Sequence, residues 1–88
     1  MVIAYVFEDL GIEDEMIAIA KCESGFNNTV NVMDTNNKRS KGIFQLNGNN
    51  AVERWEIPYV NAMKARELYL NGGFRHWTVC SKRLGLIR

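Results

Sequence analysis

The stretch that most limits what this chain can fold into is EDEMIAIAKCESG, Glu13 to Gly25. Three acids open it, where a helix N-terminus favours negative charge. Met16, Ile19 and Ala20 recur at helical spacing and give one apolar face. Gly25 follows the last periodic residue, where a left-handed terminator belongs. The spacing predicts a helix over Glu13–Ser24, and any fold of the chain has to bury that apolar stripe.

The stripe has one charged member. Glu23 lies seven residues after Met16, four after Ile19 and three after Ala20, so helical geometry turns it toward the core. It also sits in the last turn, where the helix carbonyls concentrate negative partial charge. Both burial and that dipole disfavour the charged form and raise the pKa. An acid that keeps its proton near neutral pH is what a general acid needs to protonate a leaving group. The plainer alternative is a surface glutamate on a helix rotated the other way.

Around this helix the chain reads as mainly α, a single domain over residues 1–88. IAYVFEDL, ended by Gly11, is a short helix with Ile3, Val6, Phe7 and Leu10 on one stripe. Phe26 to Lys41, rich in asparagine, is expected to be a loop or irregular hairpin. GIFQLN (Gly42–Asn47) is too short to assign by period, and Asn49–Glu56 reads as a short helix carrying Val52 and Trp55. IPYVNAMKARELYLNGG is a well-marked helix, with Pro58 in its first turn, Ala62, Ala65, Leu68 and Tyr69 on a face, and Gly72-Gly73 as its stop. The tail is expected to return Phe74, Trp77 and Val79 to the core.

Composition removes several classes of function. A formal net charge of +1 gives no field for nucleic acid or an anionic membrane. No apolar run approaches the roughly 20 residues that span a bilayer. No His/Cys/Asp/Glu cluster suggests a metal, and no motif suggests a cofactor. The two cysteines, Cys22 and Cys80, lack the close spacing of a zinc or redox site. They either form the one possible intramolecular bridge or remain buried thiols, and spacing alone does not choose.

Three blocks in order, AIAKCESGFN, SKGIFQLN and NAMKARELYLNGGFRHW, resemble the lysozyme-like and lytic transglycosylase superfamily over Ile17 to about Ser81. The resemblance implies an α+β lysozyme-like domain whose catalytic acid falls on Glu23. Ser24 matches the serine beside that acid, and Gln45 and Asn47 match the segment that lines a sugar cleft. CESG with a late HWTVCS is also similar to small resuscitation-promoting factors, in which the same two places are tied by a disulfide. That implies a Cys22–Cys80 bridge.

The implied substrate is the MurNAc–GlcNAc β-1,4 bond of peptidoglycan glycan strands. Animal-type lysozymes place an aspartate two residues before the glycine of the GIFQ block, where this chain has Ser40. Lytic transglycosylases often carry a serine there and need only one carboxylate, releasing a 1,6-anhydro product. That outcome is therefore expected, with Glu23 as acid and then base. The alternatives are hydrolysis with Asp34 as second carboxylate, and a wall-binding domain without turnover. The Ala-Tyr-Asn motif of longer transglycosylases is not evident, and YVNA (Tyr59–Ala62) only partly echoes it. His76 and the basic residues Lys38, Arg39 and Lys41 read as structural or solvated. The remaining expectations are a monomer acting outside the cytoplasm, where substrate and disulfide belong. With no leader visible, it would be cut from a larger secreted or phage-borne protein.

Overall fold

The computed structural model describes residues 1–88 as four helices and one small antiparallel sheet, a mainly α, α+β domain. Helix α1 (Val2–Phe7) runs into a 3-10 turn that ends at Gly11, and α2 (Glu13–Ser24) follows. Three strands come next, β1 (Asn31–Met33), β2 (Arg39–Lys41) and β3 (Leu46–Asn47), in the order β1-β2-β3. Helix α3 (Pro58–Leu70), a 3-10 segment (Gly73–Trp77) and α4 (Thr78–Arg83) complete the chain.

The core forms where the stripes of α1, α2 and α3 meet the GIFQ segment. Ile3, Val6 and Phe7, with Met16, Ile19 and Ala20, close over Ile43, Phe44 and Leu46, and Ala62, Ala65 and Trp77 seal the other side. Phe44 lies between Phe7 and Trp77, each ring centroid 5.9 Å away. The Trp77 indole N–H donates to the Phe44 carbonyl at 2.9 Å, so the one polar atom of that ring is satisfied in the interior. Burying a ring such as Phe44 contributes about 1.5–3 kcal/mol. Arg66 ties α3 to the end of α1, donating to the Val6 carbonyl at 2.8 Å and to both oxygens of Asp9.

A single asparagine fixes the GIFQ segment. Asn61 is fully buried; its Oδ1 accepts from Phe44 N–H at 3.0 Å, and its Nδ2 donates to the carbonyls of Trp55 and Lys41 at 3.0 and 3.2 Å. Gly42 makes room for that amide. It adopts φ +81°, and a Cβ there would overlap the Asn61 side chain and stand 2.9 Å from the Trp55 carbonyl. Asn61→Ala removes the side-chain partner of three backbone groups beside a fully buried position, so it is expected to cost about 3 kcal/mol. Urea unfolding should show a lower midpoint with an unchanged slope.

The chain departs from the sequence expectations in two places. Asn49–Glu56 is not a helix: it is a 3-10 turn over Gly48–Asn50 followed by irregular backbone, in which Arg54 takes φ +61° and cannot propagate a helix. Val79 is 69% exposed, because Cys80 and Ser81 take the inward positions of α4 and turn it out. Trp77 is buried and Phe74 packs half-buried against the core, as expected. The Phe26–Lys41 region is a true hairpin, with Val32 opposite Ser40.

Candidate active site

Glu23 emerges half-buried in the last turn of α2, carried there by the stripe that packs Met16, Ile19 and Ala20. It opens onto a cleft of about 410 Å³. Val32, Met33, Asp34 and Ser40 line the hairpin side; Gln45 and Asn47 come from the segment after it; His76, Trp77, Thr78 and Val79 form the opposite wall. The cleft thus gathers Glu23, Asp34, Gln45 and Asn47 of the expected residues. A second groove of about 460 Å³ runs along α3, but its charged groups are paired, Lys64 with Glu67 and Arg66 with Asp9, and it holds no comparable acid.

The two cleft carboxylates are driven in opposite directions. Burial pushes the Glu23 carboxyl from its ordinary 4.5 up to about 7; the negative charge of Asp34 adds to the rise, and the Arg83 guanidinium partly offsets it. Asp34 is held below the usual carboxylate range, first by the backbone N–H of Thr35 at 2.7 Å and then by the Ser40 hydroxyl at 3.0 Å. Near neutral pH Glu23 is therefore partly protonated while its neighbour stays ionised.

Ser24 does not line the cleft. Its hydroxyl lies 2.8 Å from the Ile43 carbonyl and 3.1 Å from that of Ala20, bolting the end of α2 to the GIFQ segment. Gln45 donates its amide to the carbonyls of Gly42 and Val30 at 3.0 and 3.3 Å, which leaves Oε1 as an acceptor for a bound molecule. Asn47 is engaged by the protein, donating to Ser40 Oγ at 3.0 Å and accepting from Asn36. Ser40 is 4% exposed. It faces the cleft, whereas its strand neighbours turn away: Arg39 reaches Asn31, and Lys41 lies over the Trp55 ring. The exposed His76 holds the Asn71 carbonyl at 3.1 Å, so that its Nε2 carries the hydrogen.

Cys22 and Cys80 form a disulfide that joins α2 to α4 across 58 residues, with Cα atoms 5.9 Å apart. It brackets the site, since Cys22 adjoins Glu23 and Cys80 follows the wall residues 76–79. Arg83, one helical turn beyond Cys80, is brought to bear on Glu23 by the same link. Sequence reasoning missed Arg83, although its spacing from Cys80 carried the signal. It also missed the apolar rim of Val32, Met33 and Val79, which no periodicity marks. No helix is long and apolar enough to cross a membrane. No cluster of three or more His, Cys, Asp or Glu side chains stands ready for a metal. Comparison with family models, curated proteins and solved structures found no match, so the chemistry of the cleft is what bears on function.

Proposed function

We propose that this chain is a peptidoglycan-cleaving glycosidase of lysozyme-like fold, acting on the β-1,4 bond between MurNAc and GlcNAc. One observation carries the reading: the half-buried Glu23, its pKa raised to about 7, and Asp34, its pKa lowered by its hydrogen bonds, line one cleft. Glycoside cleavage asks for that pair, an acid for the departing oxygen and a carboxylate for the positive charge or for the attacking water. Glu23 gives its proton to the glycosidic oxygen. Asp34 stabilises the oxocarbenium-like centre or takes a proton from water, and Gln45 Oε1 accepts from a sugar hydroxyl or acetamido N–H. A binding-only domain gains nothing from an acid whose burial disfavours its charged form.

Asp34 brings a second carboxylate into the same cleft, which supports hydrolysis with water as acceptor as the first reading. The aspartate expected on β2 is replaced by one at the end of β1, with Ser40 of β2 hydrogen-bonded to it. Transglycosylation is the second reading. A Glu23 poised near pH 7 can also take a proton back from the 6-hydroxyl of MurNAc, and Ser40 occupies the position expected for that class. The Cys22–Cys80 bridge is compatible with action outside the cytoplasm, where the glycan lies.

Mass spectrometry of fragments released from purified sacculi separates these readings. Reducing-end muropeptides are expected. Fragments one water lighter would establish the transglycosylase, and no release at any enzyme concentration would reject the glycosidase.

A further inference from the structure

Asp34 is exposed, yet its carboxylate is tied to a buried hydroxyl, and that hydroxyl belongs to a longer chain of contacts. Asn36 donates to Asn47 Oδ1, Asn47 donates to Ser40 Oγ, and Ser40 donates to Asp34 Oδ2. Ser40 and Asn47 are cross-strand partners on β2 and β3, so the links run across the sheet rather than along the chain.

The direction of this chain is fixed at two points by the main chain of Lys38. Its N–H can only donate, and it meets Asn36 Oδ1 at 3.0 Å, so the Asn36 amide nitrogen must face Asn47. Its carbonyl can only accept, and it lies 3.4 Å from Asn47 Nδ2, so the Asn47 nitrogen must sit on the Ser40 side. Ser40 Oγ then receives a hydrogen and has its own proton left for Asp34. Two independent constraints thus agree on one polarity, which ends on a group that in its ionised form can only accept.

We propose that Asn36, Asn47 and Ser40 form a one-way hydrogen-bond chain that orients Asp34 and keeps it an acceptor facing the cleft. Asn47 and Ser40 are thus positioning residues that act through Asp34. This deepens the hydrolytic reading and rests on it. Without the chain, Asp34 would keep its Thr35 contacts but lose the tie that sets which oxygen faces the substrate.

Asn36→Asp tests the polarity at nearly constant volume. A carboxylate there cannot donate, so Asn47 Oδ1 loses its donor and meets a negative charge instead. The amide is then no longer held on Ser40, and the hydroxyl proton that Ser40 gives Asp34 is no longer directed. Asn36 is exposed, so the variant folds whatever buried Ser40 would tolerate. Asn37→Asp, adding the same charge one residue away and outside the chain, controls for simple repulsion. Two readouts apply: the Asp34 carboxyl titrated by carbon NMR in the free protein, and the pH profile of sacculus digestion.

Asn36→Asp and Ser40→Ala are expected to move the Asp34 midpoint and the acid limb of the profile to higher pH, with Asn37→Asp moving them much less. The rate constant kcat should fall on the order of 10- to 100-fold at nearly unchanged KM, as for a misplaced reacting group. An Asp34 midpoint that moves equally in Asn36→Asp and Asn37→Asp, or a loss confined to KM, would overturn the proposal. If the native protein cuts no glycan, the hydrolytic reading falls, while the NMR titration still decides the hydrogen-bond chain.

Discussion

Glu23→Gln is expected to slow sacculus digestion between about 10²- and 10⁴-fold, the usual contribution of a positioned general acid, while retention on insoluble peptidoglycan persists. The amide keeps the shape and cannot give up a proton. On the proposed glycosidase reading, the native protein should lose sacculus-digesting activity as pH rises through about 7, where Glu23 ionises. On the acid side it should hold its rate until Asp34 protonates, below the usual carboxylate range.

The same substitution should alter stability in a direction that pH reveals. The folded carboxyl titrates near 7 against 4.5 as its ordinary value, so the native state binds more protons than the unfolded chain between those limits. Stability is therefore greatest below that window and declines as pH rises through it. A shift of this size amounts to about 3 kcal/mol in full. It amounts to roughly 1–2 kcal/mol once solvent screening of a partly exposed group is discounted. Glutamine carries no such cost, so urea unfolding at pH 8 should find the variant more stable by that amount, and at pH 4 about equal. A variant equally active with native protein would remove Glu23 from the chemistry altogether.

Loss of the Cys22–Cys80 bridge is expected to have the largest effect on folding. Closing a 58-residue separation restricts the unfolded chain by about 4 kcal/mol on the entropic account. A chain of 88 residues holds on the order of 4–13 kcal/mol in all, so much of the margin rests on one bond. The double variant Cys22→Ser, Cys80→Ser should melt roughly 20 °C lower in a circular dichroism scan. Thiol reductant should do the same to the native protein and leave the double variant unchanged. A reductant effect that persists in the variant would place the cause elsewhere.

How far the sequence reveals these features depends on how local their causes are. Helices α2 and α3 are legible because period, first-turn residues and glycine stops all lie within them, and Glu23 follows from its phase on α2. The sheet is not legible in the same way. Residues 31–39 are all exposed, so no alternation of apolar and polar side chains marks the strands, and the place of Asp34 depends on Val32 pairing with Ser40. The irregular run after Asn50 is shaped by distant partners, with Asn28 holding the Glu56 carbonyl and Asn61 that of Trp55. Asn61 itself leaves a trace, a lone amide on the stripe of Ala62 and Ala65, which a pattern built on apolar residues passes over. The outward turn of Val79 is not legible either, because the phase of α4 is set by the bridge at Cys80 rather than by its own short sequence.

The exposure of that hairpin has a consequence for how heat would silence the molecule. Glu23 stands on a helix secured by the core and a covalent link, whereas Asp34 hangs on a segment that contributes no side chain to the interior between residues 31 and 39. Segments with few buried contacts open at a fraction of the global cost. Warming should therefore part the two carboxylates while the helices are still intact, and catalytic half-life would run out ahead of the spectroscopic melt. On the proposed reading, durability of function is expected to be set in the hairpin rather than in the core.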